Sequence, residues 1–232
     1  MPSPLVVLPW RPAPSRLDAF DRVRDWYARM LPEFRVETID SGDDPFNLAL
    51  CRNLAVAGLD DPDAVIVLND ADTLPEPGPL REAVEAAKSS GRVHLPYTAY
   101  HWFGAEGSAQ FAAGIPPKDC DFELVVGACS GVYVTTRRTW EAHGGQDERF
   151  QGWGFEDAAW YIAHSTMLGE PPVRHEGRVY ALHHLAAERA GTHYDANAAL
   201  MARYREASGD VAAMSELIDI ARNARTGPGS EA

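Results

Sequence analysis

The chain has 232 residues, a net charge of -13, 45% hydrophobic and 24% charged residues, and three cysteines. That is enough apolar material for a soluble core, with no membrane-length apolar run and no paired-cysteine framework. The acidic balance repels nucleic acid and anionic membranes, and the scattered Cys51, Cys120 and Cys129 suit a reduced, cytoplasmic setting. No signal peptide is expected, because apolar strand residues begin at Leu5.

Leu5 to Pro9 reads as a strand, stopped by Pro12 and Pro14. Ser15 is the expected N-cap of a helix carrying Leu17, Phe20, Val23, Trp26, Tyr27 and Met30 at helical spacing. Phe34 to Ile39 is a second strand, Asp40 to Pro45 an acidic loop, and Phe46 to Ala57 a helix. Val65 to Leu68 is an unbroken apolar run, the pattern of a doubly covered central strand, and it ends in Asn69-Asp70-Ala71-Asp72. Alternating strands and helices predict an α/β fold with a parallel sheet. A helix over Leu80 to Lys88 and a strand over Arg92 to Leu95 follow, then a long loop from Phe103 to Asp119. Strands are expected at Phe122 to Val126, Val132 to Thr135 and Val173 to Leu182. Helices are expected at Arg138 to Ala142, Glu156 to Met167, Ala196 to Glu206 and Val211 to Arg222, before a disordered tail from Thr226.

Two carboxylates spaced i, i+2 at a strand end suit a hard divalent cation that leaves room for substrate phosphates. The competing reading of Asp70-Ala71-Asp72 is a solvated Asp-rich turn. In Gly152-Trp153-Gly154-Phe155-Glu156-Asp157 two glycines bracket an aromatic and two acids open a helix. A simple helix start that sets acids against the macrodipole would explain the acids but not the bracketed tryptophan.

In order and spacing these parts resemble a glycosyltransferase of the GT-A fold. The nearest in motif are the β-1,4-galactosyltransferase group and family 2-type enzymes. The resemblance covers roughly residues 4 to 206, and it implies one domain over 1–225. In that domain a nucleotide-sugar half (1–100) is merged with an acceptor half (101–225). It implies a UDP-sugar donor held by Pro9-Trp10-Arg11, Asp40, Phe46, Arg52, Asp70, Gly131 and Trp153. It implies Mn²⁺, or Mg²⁺, held by Asp72 and a late histidine. Of His183 and His184, which point to opposite faces of a strand, alignment favours His184. It implies an inverting displacement with Asp157 as general base and Glu156 binding sugar hydroxyls, and a lid over Leu185 to Tyr194.

The chain departs from the family pattern at Pro12-Ala13, at Ala158 after the acids, and at Phe155, where a glycine is usual. These changes bear on the sugar and the acceptor rather than on the reaction class. The expected acceptor is a saccharide, a glycolipid or another hydroxyl compound. A hydroxylated DNA base is disfavoured by the charge. The rivals are a non-catalytic nucleotide-sugar-binding module and a haloacid dehalogenase-type phosphohydrolase. The second matches Asp70-Ala71-Asp72-Thr73, but its downstream acidic pair is out of order, since Gly42-Asp43-Asp44 lies upstream.

Overall fold

A computed structural model describes residues 3–152, 154–185 and 190–226. The N-terminal region forms β1 (Leu5–Pro9), α1 (Leu17–Met30), β2 (Arg35–Ile39), α2 (Leu48–Ala57) and β3 (Val65–Asn69). β1 lies between β2 and β3 and is parallel to both. Ile66, Val67 and Leu68 are fully buried, as an unbroken apolar run on a sheet covered on both faces requires. Each such side chain contributes about 1.5–3 kcal/mol by burial.

β4 (Thr73–Pro75), α3 (Pro77–Ser90), β5 (His94–Leu95), β6 (Ala99–Trp102), α4 (Gly104–Ala112), β7 (Glu123–Leu124) and β8 (Val132–Thr136) follow. Then come α5 (Arg137–Ala142), α6 (Glu156–Leu168), β9 (Val173–Arg174), β10 (Arg178–Ala181), α7 (Thr192–Glu206) and α8 (Val211–Thr226). The main sheet runs β2-β1-β3-β8-β5-β9, and a second sheet runs β4-β10-β6-β7. β8 is antiparallel to both β3 and β5, so the predicted parallel sheet is in fact mixed.

Four expectations need correction. Ser15 lies in a 3-10 turn, Pro14–Arg16, and α1 starts with no side-chain cap. Phe103 to Asp119 is not a plain loop, because α4 occupies its first half. Gly107 lets α4 pack tightly, since a Cβ there would stand 2.0 Å from the Asp121 carbonyl oxygen. Val173 to Leu182 is two strands in two different sheets, divided around Gly177. Thr226, the first residue of the expected tail, instead closes α8; the rest of that tail lies outside the described residues.

Helix α1 fastens the sheet where chemistry is expected. The Trp26 indole donates to the Pro75 carbonyl at 3.0 Å, and the Tyr27 hydroxyl donates to Asn69 Oδ1 at 2.9 Å. Both bonds hold the chain on either side of Asp70 and Asp72. A smaller cluster built on Phe150, Met201, Tyr204, Met214 and Ile218 joins α6, α7 and α8.

Candidate functional site

The Asp70 amide donates to the Gly131 carbonyl at 2.7 Å, which sets the end of β3 against the start of β8. Thr73 Oγ1 donates to the same carbonyl at 3.0 Å. Gly131 has φ +90, and a Cβ there would stand 3.2 Å from the Tyr100 ring and 3.3 Å from the Thr73 methyl. Only glycine allows this close crossing.

Beneath the crossing lies Arg52, on α2 and fully buried. It donates to Asp70 Oδ1 at 2.5 Å, to Asp157 Oδ1 at 3.0 Å and to Gln146 Oε1 at 2.9 Å. Its guanidinium also lies over the Tyr133 ring, 4.7 Å from the centroid. Burial alone would lower the Arg52 pKa, but the charges of Asp70 and its neighbours hold it well above the usual value. Desolvation pushes the Asp70 carboxyl upward despite Arg52, and it raises Glu156 further with help from Asp157. Tyr133 donates a short hydrogen bond to the same Asp157 oxygen that Arg52 engages. Asp157 Oδ2 accepts no hydrogen bond among the described residues. The carboxylate is therefore anchored through one oxygen and open through the other.

Asp72 and His184 meet two residues beyond Asp70, past the end of β3. His184 Nε2 is 2.8 Å from Asp72 Oδ2, and its Nδ1 lies 2.9 Å from the Leu185 carbonyl. The bond to Asp72 raises the His184 pKa. The Leu185 carbonyl can take a proton from Nδ1, which leaves the Nε2 lone pair facing Asp72. Two ligands of one octahedral ion at about 2.1 Å, set at a right angle, would be about 3 Å apart. The pair fits that spacing, and a carboxylate with an imidazole suits Mn²⁺ better than Mg²⁺. Among the described residues no group of three His, Cys, Asp or Glu side chains converges on one point. The pair would therefore need phosphate oxygens or water to complete a shell.

The first two strand ends form a separate patch. Arg11 grips Asp40 through two nitrogens, at 2.9 and 2.5 Å, donates to the Asp43 carbonyl at 2.7 Å, and sits 5.3 Å from the Phe46 ring centroid. The shared bonds raise the Arg11 pKa and lower that of Asp40. Pro9 is buried at the end of β1, and Trp10 stacks on Phe20 with ring centroids 4.0 Å apart. Trp153 lies outside the described residues, as does the middle of the expected lid, 186–189. Asn197 and Tyr194 on α7 clasp the turn before Asp157. Asn197 Nδ2 donates to the Gln151 carbonyl at 2.9 Å, and the Tyr194 ring lies 5.1 Å from that of Phe155.

The sequence reading missed Tyr133, Gln146 and Trp102. Tyr133 sits in an apolar strand pattern that predicts only burial. Gln146 carries no motif. Trp102 lies on the same face of the second sheet as Thr73, through the register Thr73–Ala181–Trp102, and is 41% exposed.

No protein-family model and no curated protein sequence matches the chain. Solved structures do. The catalytic domain of Drosophila beta1,4-galactosyltransferase 7, in complex with xylobiose, superposes with a TM-score of 0.57 at 15% identity, over 84% of this chain and 78% of that one. The chain has the fold of a GT-A glycosyltransferase. A mutant of the Drosophila enzyme with manganese, UDP-Gal and xylobiose gives a TM-score of 0.47 at 18% identity, over 73% of this chain and 63% of that one. GalNAc-T7 with UDP, GalNAc and Mn²⁺ gives 0.48 at 11% identity, over 95% of this chain and 49% of that one. Within the GT-A frame, Asp70, Asp72, His184, Glu156 and Asp157 gather around the carboxyl end of β3. Among the described residues no helix is long and apolar enough to cross a membrane.

Proposed function

We propose that this chain is a divalent-metal-dependent, inverting glycosyltransferase that moves a sugar from a UDP-sugar to an acceptor hydroxyl. The observation that carries the reading is Asp157, held through Oδ1 by Arg52 and Tyr133 with no hydrogen bond to Oδ2, and tied through Arg52 to Asp70, two residues before the Asp72 that meets His184. The fold supports it, since the Drosophila relative in the same fold is a galactosyltransferase.

Asp72 and His184 would hold the metal, which would supply positive charge to neutralise the departing diphosphate. The Arg11–Asp40 pair and Phe46 border the nucleotide base and ribose, with Pro9 and Trp10 as the wall. Gly131 admits the donor sugar close to the backbone. Asp157 Oδ2 takes the proton from the acceptor hydroxyl as its oxygen bonds to the anomeric carbon and the nucleoside diphosphate leaves from the opposite face. Arg52 keeps Asp157 and Asp70 apart and oriented. Glu156, which keeps its proton to higher pH than an ordinary carboxyl, hydrogen-bonds sugar hydroxyls. Residues 1–225 act as one catalytic domain.

The test is turnover of labelled UDP-sugars with Mn²⁺ against an acceptor panel, comparing wild type with Asp157→Asn. The expected result is wild-type transfer, with turnover lowered roughly a hundredfold or more in the variant while UDP affinity and thermal melting stay unchanged. Donor binding without transfer to any acceptor would favour a non-catalytic binding module instead.

A further inference from the structure

Asn69 is the last residue of β3 and has no exposed surface. Its side-chain nitrogen donates to the Asp70 carbonyl at 2.7 Å and to the Thr73 carbonyl at 3.0 Å, with Thr73 Oγ1 a further contact at 3.2 Å. Its side-chain oxygen accepts from the Tyr27 hydroxyl at 2.9 Å. The two carbonyls decide which way the amide faces. Turned over, its oxygen would meet both of them with no proton to offer.

These bonds close a tight turn over residues 70–73. The Thr73 amide donates to the Asp70 carbonyl at 3.2 Å, and the Leu182 amide donates to the Asp72 carbonyl at 2.8 Å. The carbonyls of Asp70, Asp72 and Thr73 are therefore all held, two of them by one side-chain nitrogen. Burial alternates along the same stretch. Asn69, Ala71 and Thr73 are buried, whereas the side chains of Asp70 and Asp72 keep 22% and 18% exposure. The inward residues hold the backbone, and the outward ones are the two acids. Without the Asn69 amide, the Asp70 carbonyl would keep only contacts of 3.2 Å, from the Thr73 amide and hydroxyl. A small divalent ion demands ligands at near-fixed distances and angles, so the carboxylate that meets His184 tolerates little movement of its backbone.

We propose that Asn69 is a positioning residue for the divalent cation: it fixes the turn 70–73 so that Asp72 and His184 present one geometry, and Tyr27 acts through it. The proposal rests on the metal-dependent transferase reading above. Asn69 itself is sealed from solvent and touches neither metal nor substrate. Tyr27 is equally buried, on α1, so the turn that carries Asp72 is oriented from a helix that contributes no ligand.

An asparagine with a purely structural role would cost stability when removed and leave metal affinity alone. Isothermal titration of Mn²⁺ in the presence of UDP separates the two roles without requiring turnover. Asn69→Ala is expected to bind Mn²⁺ about tenfold more weakly, the low end for partners of metal ligands, because it holds the backbone and not the carboxylate. Tyr27→Phe, a smaller lesion, is expected to weaken binding about threefold, and it gives the answer if Asn69→Ala does not fold. The double variant should bind no more weakly than Asn69→Ala alone, because the hydroxyl acts through the amide. Tyr204→Phe is the control. It removes a buried hydroxyl's 3.0 Å bond to Asp147 in the cluster that joins α6, α7 and α8, and it should lower the Tm with Mn²⁺ affinity unchanged. Wild-type Mn²⁺ affinity in Tyr27→Phe, or in a folded Asn69→Ala, would overturn the proposal. So would an equal loss in Tyr204→Phe, since the effect would then be a general loosening of the fold. A wild type that binds no Mn²⁺ beside UDP would overturn the metal reading and this proposal together. Weakened Mn²⁺ binding in both variants, with no sugar transfer by the wild type, counts against the transferase reading alone.

Discussion

Arg52 and Asp157 are 105 positions apart in sequence and 3.0 Å apart in space, and the arginine has no exposed side-chain surface. A buried guanidinium needs its charge compensated, and here Asp70 and Asp157 supply the counter-charges through its two terminal nitrogens, while Nε has no hydrogen-bond partner among the described residues. The same pairing fixes the two carboxylates relative to each other. Stability and site geometry therefore depend on one side chain.

Arg52→Met is expected to destabilise the fold by about 3 kcal/mol, the lower end for removing one partner of a buried pair, because both aspartates retain some exposure. For a chain of this size that is a fall in Tm of roughly 6–12 °C. Calorimetry or a dye-based melt reads it. A melt within 2 °C or so of wild type would mean the pairing contributes little.

Tyr133→Phe removes one of the two donors to Asp157 Oδ1 and keeps the ring under Arg52. The expected outcome is a several-fold to tenfold loss in kcat, with donor affinity unchanged, since the phenol positions the base and touches no donor atom. A rise in KM for the donor with kcat intact would place Tyr133 in the binding machinery instead.

Asp72→Ala and His184→Ala are each expected to weaken Mn²⁺ binding in the presence of UDP by roughly a hundredfold or more. Loss of a direct ligand should exceed the 10–100-fold typical of outer-shell changes. Isothermal titration measures it. His183→Ala serves as the control and should bind normally. The reverse pattern, with His183 essential, would exchange the two histidines.

Acid should destabilise the fold through buried imidazoles, His94, His143 and His164, each held below the usual histidine range by burial. Burial lowers the pKa of His94 and of His164 to about 4. Both are neutral in the folded chain at pH 7, as they are when unfolded, so they cost nothing there. Below about pH 6.5 the unfolded chain takes up protons that the folded chain refuses until about pH 4. Stability is thus lost between pH 6.5 and 4, by up to about 1.4 kcal/mol per pH unit per imidazole. Melting curves of wild type and His164→Gln across that window check this: the variant should show a shallower fall.

The first half of the chain was legible because its patterns are long. α1 repeats apolar residues over 14 positions, and β3 is a five-residue strand between clear turn signals. β4 and β6 have three and four residues, too few for a period to show, and their pairing comes from distant strands. α4 was hidden by its glycines, one of which exists to let Asp121 approach. In the site, Asp70, Asp72, Glu156 and Asp157 stood out as carboxylates at element ends. Tyr133 and Gln146 did not, because their roles arise only when β8 and the α5–α6 connection are folded against Arg52.

Phe155 is the one non-glycine residue with positive φ among those described, at 75°. An L-residue is strained there, and the contact of its ring with Tyr194 offsets the cost. With Asn197 also holding Gln151, the first two turns of α7 grip the peptide that delivers Glu156 and Asp157. α7 thus works as a handle on the two carboxylates proposed to act on the sugar. A rotation of its N-terminal end would retune the reaction centre from outside the cleft, with no change to any residue that meets the sugar.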